Sequence, residues 1–510
     1  IVMDEYTKAL LELEELHERK SIFTSYFLKV TKKDTSIDEG TFKDLMMDNV
    51  YLKLFCPYLR TSLGEQILYS NIRNPLTNKE DLEKRRDKIS KLKSSNMKIR
   101  IGKILDNIGT IGYYNFTDIV FNKLKRSTTV SIMSKISLIC TVLAVALYFL
   151  NPFLLFLIVF PIITYPIFSG KFFDDNNDTI ILIKYLAKVI SAAEDLANIN
   201  APEFADDIKR IEEIHKKFSL IPTLSKWLGT PHKQSAIIIT LDTLFGIRYF
   251  AYNIIANVLD RNNKELLELI EIIGELDSNL AIDEIEENNY VCSPNFTDNK
   301  TFSCEDLYNP LIENCVANSL TIKDHGLILT GSNMAGKSTF LRSIGINVIL
   351  AQTVGIAFAK KYEAPILNIL TSISRNDNML AGKSYYLEEA QAVQTIVQNC
   401  NNEVPILCII DEIFKGTNPT ERVAAAASIC NYLSKSNCIP IVATHDMELT
   451  SMVKNYSFYY FSETINKDKS MTFDYKLKKG LCPSSNAVKI LEILKYPKEI
   501  IDDTYKRLKK

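Results

Sequence analysis

The sequence predicts a two-part fold: a mostly helical region that carries an apolar hairpin, followed by an α/β domain in which strands and helices alternate. Three observations lead to this prediction. Apolar residues recur at helical spacing over most of residues 1–285. Residues 136–168 contain no charged side chain. Beyond residue 286, short apolar runs alternate with segments of helical spacing, which is typical of a parallel sheet with helices on its faces.

Length and composition limit the classes of protein to consider. The chain has 510 residues, 46% of them hydrophobic, which is enough for several domains with substantial cores. Its net charge of −1 provides no overall basic field for nucleic acid. The ten cysteines are scattered without a CxxC pair, and there are five histidines. This pattern indicates buried thiols in a reducing compartment and argues against a disulfide framework or a zinc site.

The N-terminal third is predicted to be helical and locally basic. Residues 6–30 have the spacing of an amphipathic helix, and residues 41–92 continue as helices interrupted at Pro57 and Pro75. Residues 60–135 contain 16 Lys and Arg against 7 Asp and Glu. Two interpretations stay open for this excess: a solvated helix face, or non-specific contacts to the phosphates of DNA.

The uncharged run over residues 136–168 predicts a transmembrane hairpin. Asn151 and Pro152 divide it, because proline cannot continue a helix without losing a hydrogen bond. Each arm of about 16 residues spans roughly 25 Å, slightly less than the hydrocarbon thickness. The flanking basic side chains place both ends on the cytoplasmic side: Lys123, Lys125 and Arg126. A helical hairpin buried in a soluble core is the alternative.

Five segments follow from these patterns. Residues 1–50 form an N-terminal amphipathic segment, and residues 51–129 and 171–285 are two parts of a helical core. Residues 130–170 form the hairpin between those two parts, and residues 286–510 form the α/β domain. Within that domain the predicted strands cover residues 327–330, 366–373, 406–410 and 439–443.

A glycine-rich loop stands between the first of these strands and a helix. It reads Gly331, Ser332, Asn333, Met334, Ala335, Gly336, Lys337, Ser338 and Thr339. The two glycines let backbone N–H groups surround a phosphate, Lys337 adds a positive charge, and the Ser338 hydroxyl is placed for Mg²⁺. The N-terminus of the following helix favours the same anion. The loop therefore predicts binding of a nucleoside triphosphate such as ATP, together with Mg²⁺.

Two later strands end in residues that suit phosphate chemistry. The apolar run 406–410 leads directly into Asp411 and Glu412. In phosphate-loop ATPases the first acid at such a strand end supports Mg²⁺, and its neighbour polarises the attacking water. The run 439–444 ends at His445, whose imidazole could reach the terminal phosphate. Each feature alone also fits an ordinary strand end or loop, but their order after the glycine loop favours the catalytic interpretation.

These residues resemble the MutS family. The similarity is carried by residues 331–342, 411–419 and 443–449, and it extends to 61–76 and 309–318. It implies an all-helical core and lever domain followed by an ABC-type phosphate-loop ATPase domain. The predicted transmembrane hairpin is inserted in this core, where the helices of the family would lead to a DNA clamp. The resemblance further implies Glu412 as general base and His445 as sensor of the terminal phosphate. ATP is then expected between two copies of the chain, each presenting Gly416, Thr417 and Asn418 to its partner's nucleotide.

The sequence departs from the family pattern in ways that shape the expected function. Asn418 stands where the family usually has serine, and Cys315 aligns with an aromatic residue that stacks on adenine. We expect no counterpart of the mismatch-reading domain, since about 50 residues precede the helical core in this sequence. We therefore expect a membrane-associated, homodimeric, MutS-like ATPase with its ATPase domain in the cytoplasm, and double-stranded DNA as a non-specific ligand. The alternatives are a scaffolding ATPase that binds no nucleic acid and an ABC-type transport ATPase.

Overall fold

The chain folds into two compact units that interleave along the sequence. A computed structural model describes residues 19–93, 97–112, 114–199, 204–229, 236–323, 325–331, 335–373, 385–414, 418–465, 471–482 and 491–508. The helical unit comprises Ile1–Lys32, Tyr58–Ser70 and Ile89–Asp283. The sheet unit comprises Lys33–Pro57, Asn71–Lys88 and Glu284–Lys510.

Helices dominate the first half of the chain. In chain order the described α-helices are α1 (Glu39–Asp44), α2 (Met47–Val50), α3 (Ser62–Arg73), α4 (Lys79–Lys93), α5 (Met97–Ile108), α6 (Thr117–Phe121), α7 (Thr128–Leu147), α8 (Val159–Asp175), α9 (Asn177–Ala197), α10 (Ala205–Phe218), α11 (Ile221–Ser225), α12 (Ala236–Phe245), α13 (Ile247–Arg261), α14 (Asn263–Asn288), α15 (Lys337–Thr353), α16 (Tyr385–Asn399), α17 (Pro419–Leu433), α18 (Leu449–Met452) and α19 (Lys498–Leu508). Shorter π or 3₁₀ turns cover Phe27–Thr31, Tyr51–Phe55, Cys56–Tyr58, Pro152–Ile158 and Lys226–Leu228.

Among the described residues, the strands lie in the second half of the chain. They are β1 (Asn295–Phe296), β2 (Thr301–Leu307), β3 (Asn318–Lys323), β4 (Gly326–Thr330), β5 (Lys361–Ala364), β6 (Asn368–Ser372), β7 (Ile406–Asp411), β8 (Cys438–Ala443), β9 (Tyr456–Tyr460), β10 (Glu463–Ile465), β11 (Met471–Phe473) and β12 (Lys478–Lys479). The prediction of a helical region followed by an α/β region is thus confirmed at this level.

The helical unit is built around α9. This helix packs against α5, α10 and α11, so it is apolar on most of its circumference. The predicted stripe on it is buried throughout: Ile183, Leu186, Val189, Ile190, Ala193 and Leu196. These side chains belong to one continuous core that also takes in residues of α3, α13 and α14.

A buried carboxylate fixes the start of α3. Asp277 on α14 accepts hydrogen bonds from the backbone N–H of Arg60 at 3.1 Å and of Thr61 at 2.8 Å, and from the Thr61 hydroxyl at 2.7 Å. It thereby satisfies N–H groups at a helix N-terminus from a distant part of the chain. Burial nevertheless raises the pKa of Asp277 to about 6. A Cβ at Gly64 would overlap the Asp277 carboxylate, so glycine is required there.

Two apolar helices project from the helical unit. α7 and α8 pack against each other, and Asn151 begins the turn between them by accepting a hydrogen bond from the Phe153 N–H at 3.0 Å. The predicted break at Asn151 is confirmed. Among the described residues, the two helices that are long and apolar enough to cross a membrane are Thr128–Leu147 and Pro152–Asp175. Their outward side chains are largely apolar and exposed, and they include Ile139, Val142, Val145, Phe149, Leu150, Phe153, Phe156, Phe160, Ile163 and Ile167.

The sheet unit contains a six-stranded sheet in the order β12-β9-β4-β8-β7-β6. β9, β4, β8, β7 and β6 run parallel, and β12 is antiparallel to β9. The four strands predicted from apolar runs are present within one or two residues of the predicted bounds. A smaller sheet has the order β1-β5-β2-β3. Its strands β1, β2 and β3 precede the glycine loop in sequence and β5 follows it. The sequence patterns did not predict this sheet.

An early segment of the chain completes this unit at the sheet edge. The Asp44 carboxylate at the end of α1 accepts hydrogen bonds from the Thr371 hydroxyl at 2.8 Å and from the Ile373 N–H at 2.9 Å. The Thr41 hydroxyl accepts another from the Thr371 N–H at 3.1 Å. Because β6 is an edge strand, these side chains satisfy N–H groups that no further strand pairs with.

We expect Gly64→Ala to destabilise the helical unit by on the order of 1–3 kcal/mol, because the new methyl group displaces the Asp277 carboxylate from the α3 terminus. Gly102→Ala on α5 is the matched control: its Cβ would lie 3.5 Å from Arg60 Nε, an ordinary contact, so it should be neutral or stabilising by about 0.5–1 kcal/mol. Thermal unfolding of both variants in detergent tests this. Equal melting temperatures would contradict the role assigned to the Asp277 contact.

Candidate functional site

The glycine loop lies at the carboxyl end of the central strand β4. Gly331 has φ 117° and Gly336 has φ 104°, both in the left-handed region that favours glycine. A Cβ at Gly331 would also overlap the carbonyl oxygen of Phe461, whose N–H donates to the Thr330 carbonyl at 3.1 Å. The two glycines are therefore needed for backbone shape and close approach. Ala335 is buried, and the predicted phosphate-binding residues Ser332, Asn333 and Met334 lie outside the described residues.

Helix α15 begins directly after the loop and carries the next predicted residues. Lys337 is fully buried, and its Nζ lies 3.3 Å from both ring nitrogens of His445. The Ser338 hydroxyl donates a hydrogen bond to Asp411 Oδ2 at 2.6 Å. Both contacts join residues that are far apart in the sequence. They meet because β4, which leads into the loop and α15, pairs with β8, and β8 pairs with β7.

The two acidic residues occupy different environments at the end of β7. Asp411 is only 4% exposed, and its Oδ1 has no hydrogen-bond partner within the described part of the chain. Glu412 has φ 66°, which is rare for a residue with a side chain. Its N–H donates to the Ala443 carbonyl at 3.0 Å, and its Oε1 lies 2.8 Å from His445 Nε2. His445 thus stands between Lys337 and Glu412.

The oxygen atoms around Asp411 fit a magnesium ion. Mg²⁺ prefers oxygen ligands and usually takes one or two from the protein, with the remainder from water and phosphate. The buried Asp411 Oδ1 and the nearby Ser338 hydroxyl supply such a pair. The described residues include no group of three or more His, Cys, Asp or Glu side chains that could hold a metal alone. A metal here would therefore rely on the phosphates of a bound substrate.

An ion pair beside the site was not predicted from the sequence. Arg422 on α17 donates two hydrogen bonds to Asp446, Nε to Oδ2 at 2.9 Å and a terminal nitrogen to Oδ1 at 2.7 Å. The pairing with Asp446 raises the pKa of Arg422, and the Glu412 carboxylate adds to the effect. The pair lines a cavity of about 260 Å³ together with Glu412 and His445. Nothing in the spacing of these two charged residues indicates that they meet.

A larger cavity of about 470 Å³ is lined in part by the end of the loop and the start of α15. Its lining includes Gly336, Thr339 and Cys315, the position where the sequence lacks the expected aromatic residue. The same lining includes the aromatic side chain of Tyr475, whose ring also lies nearest to Gly336. An aromatic group is therefore present in this cavity, supplied by a segment about 160 residues later in the sequence than Cys315.

The residues predicted to face a partner copy are only partly described. Gly416 and Thr417 lie outside the described residues. Asn418 is exposed, and its side-chain oxygen accepts a hydrogen bond from the Thr420 N–H at 3.0 Å, which makes it the N-cap of α17. The structure therefore brings five of the predicted residues together in one site, Lys337, Ser338, Asp411, Glu412 and His445, and gives Asn418 a capping contact.

Comparison with known proteins is consistent with the motifs. Residues 327–510 match the family described as MutS domain V. The chain is similar to the DNA mismatch repair protein MutS of Clostridium kluyveri, at 30% identity over 276 residues, which cover 50% of this chain and 31% of that protein. It is also similar to the proteins of the same name from Leptospira interrogans, at 30% identity over 47% of this chain and 30% of that protein, and from Fusobacterium nucleatum, at 25% over 64% and 36%. The chain thus spans about a third of the length of these relatives.

Proposed function

Because the chain belongs to the MutS family, we propose that it binds and hydrolyses ATP with Mg²⁺ at the carboxyl end of β4, β7 and β8. One observation carries this proposal: Lys337, Ser338, Asp411, Glu412 and His445 come from three strand ends and meet in a single connected cluster. A buried lysine beside a glycine loop suits phosphate, and a carboxylate next to it suits proton transfer. The left-handed Glu412 adds support, because such strained backbone conformations cluster at active sites.

Binding is assigned to the loop and its flanks. Lys337 pairs with the phosphates, and the N-terminus of α15 adds its partial positive charge. Ser338 and Asp411 would hold Mg²⁺, which neutralises part of the phosphate charge when it is bound. The base and sugar occupy the 470 Å³ cavity beside Gly336, where Tyr475 supplies the stacking surface that Cys315 does not.

Hydrolysis is assigned to Glu412 and His445. In the proposed step a water oxygen attacks the terminal phosphorus, the bond to ADP breaks, and the Glu412 carboxylate accepts a proton from the water. The contact between His445 Nε2 and Glu412 Oε1 at 2.8 Å orients that carboxylate. The Arg422–Asp446 pair immobilises the residue directly after His445, so Arg422 acts as a positioning residue for the same step.

We further propose that α7 and α8 anchor the chain in a membrane, with the sheet unit in the cytoplasm. Support comes from the length of both helices and from their outward side chains, since exposed apolar surface of this extent is costly in water. The wider proposal is an ATP-dependent homodimer that contacts DNA through phosphates only. Part of the basic excess is already engaged within the sheet unit, where Arg85 donates to the Thr353 carbonyl and Arg86 pairs with Glu286.

We expect Glu412→Gln to retain ATP binding and to lower the rate of hydrolysis by about 10²–10⁴-fold, because an amide cannot accept the proton of the attacking water. Glu421→Gln, at an exposed position in the first turn of α17, is the matched control and should hydrolyse ATP normally. Lys337→Ala should instead weaken binding itself. Calorimetric titration with ATP and steady-state phosphate release separate the two effects. Normal turnover by Glu412→Gln would exclude Glu412 as the base.

We expect Arg422→Ala to lower kcat by about tenfold, equivalent to 1.4 kcal/mol, with little change in KM, because the His445 loop loses its anchor. Arg422→Lys keeps the charge without the two-pronged contact and should be intermediate. Arg507→Ala removes the exposed pair with Asp503 and serves as control. Kinetics are measured beside thermal unfolding. If Arg422→Ala has a lower melting temperature but an unchanged kcat, the pair only stabilises the fold.

We expect the intact chain to resist extraction from membranes by carbonate and high salt, because two apolar helices are inserted in lipid. Replacing residues 143–162 by a short Gly-Ser linker removes the outer half of the hairpin but keeps the buried Thr141 and Tyr165. Carbonate should release this variant with its ATPase activity intact, because the arms that remain are too short to cross the bilayer. Release of the unmodified chain by carbonate would contradict membrane insertion.

A further inference from the structure

A third apolar segment lies against α7 and α8. Helix α12 packs on both of them, and it is followed by α13 at an angle of 74°. By length and composition the two together qualify as a broken membrane span. The turn between them is Gly246, with φ 66°, where a Cβ would lie 2.6 Å from the Ser134 side chain of α7. The turn between α12 and α13 therefore packs directly against α7.

The carbonyl groups at the end of α12 are satisfied by side chains. Ser137 Oγ donates to the Thr243 carbonyl at 2.6 Å and to the Leu244 carbonyl at 2.9 Å. Thr141 Oγ donates to the Leu244 carbonyl at 2.7 Å. Helix ends in water can leave such carbonyls to the solvent, whereas helix ends in hydrocarbon require internal partners. The buried hydroxyls of Ser137 and Thr141 on α7 supply those partners here.

The distribution of charged and uncharged side chains on α12 also suits an apolar environment. Asp242 is its only charged residue, and it faces the protein, where it accepts hydrogen bonds from the Tyr165 hydroxyl at 3.0 Å and the Arg248 N–H at 2.8 Å. The exposed side chains are uncharged: Ile237 is 71% exposed, and Ile239 and Thr240 are also exposed. A helix on a water-facing surface normally shows the opposite distribution.

We propose that α12 is a third lipid-embedded segment, which enters one leaflet beside the hairpin and leaves it through α13. The proposal rests on the membrane anchoring proposed above. Ten residues at 1.5 Å each give about 15 Å, roughly half of the hydrocarbon thickness. Helix α13 leads the chain back to the base of α7. There the Tyr249 hydroxyl donates to the Ser127 carbonyl, and the Tyr252 hydroxyl donates to the Lys125 carbonyl. Acyl chains therefore cover Ile237 and Ile239.

The single tryptophan of the chain allows a direct test. In a Trp227→Phe background, one tryptophan is introduced at Ile237, at Phe149 on the hairpin tip, or at Ile99 on α5 as an exposed control remote in sequence. Each protein is reconstituted in vesicles of phosphatidylcholine and phosphatidylglycerol, with or without lipids brominated in the acyl chains. We expect quenching of the tryptophans at positions 237 and 149 to exceed that at position 99 by at least twofold.

Each other outcome overturns a defined part of the argument. Quenching at position 149 with a signal at position 237 equal to that at position 99 rejects the third segment and leaves the hairpin anchor. Quenching at neither position rejects the anchor together with the inference. A tryptophan at position 237 that is shielded from both brominated lipid and aqueous acrylamide shows that a second copy of the chain covers this face. Ile239→Trp repeats the measurement if Ile237→Trp unfolds at a lower temperature than the background protein.

Discussion

The candidate site depends on the register of three parallel strands. Ala443 on β8 is paired with Leu329 on β4 and with Asp411 on β7, so the three strand ends stand at one level. The Thr444 N–H donates to the Leu329 carbonyl at 2.9 Å and the Glu412 N–H to the Ala443 carbonyl at 3.0 Å, which extends this alignment by one residue. A slip of one residue in any strand would turn its side chains to the opposite face and separate the acids from the glycine loop.

Local patterns predicted the parts of the structure that local forces decide. The buried strands appear as apolar runs because both of their faces are covered, and β7 ends its run with the buried carboxylate of Asp411. The glycine loop was predictable because two backbone positions need left-handed φ values that glycine adopts at little cost. The break at Asn151 and Pro152 was predictable for a similar reason, since proline lacks the N–H that a helix requires.

Contacts between distant segments were not predictable from the sequence. Asp44 meets Thr371, Arg422 meets Asp446, and Tyr475 reaches the cavity that also contains Cys315. In each case the two residues are brought together by tertiary packing, and neither has a neighbour in sequence that reveals the contact. Ser134, Ser137 and Thr141 did leave a signal, because polar residues spaced by three and four on a mostly apolar helix form one stripe. That stripe now has a partner in the end of α12.

The backbone at Glu412 shows how the fold holds a reactive group in place. A residue with a side chain at φ 66° costs on the order of 1–3 kcal/mol, and Phe414 two residues later has φ 61°. The hydrogen bond from the Glu412 N–H and the contact of its carboxylate with His445 stabilise this conformation and offset part of that cost. In this conformation the Glu412 carboxylate lies 2.8 Å from His445 Nε2. Two adjacent carboxylates can then serve different atoms: Asp411 lies beside Ser338, and Glu412 lies beside His445.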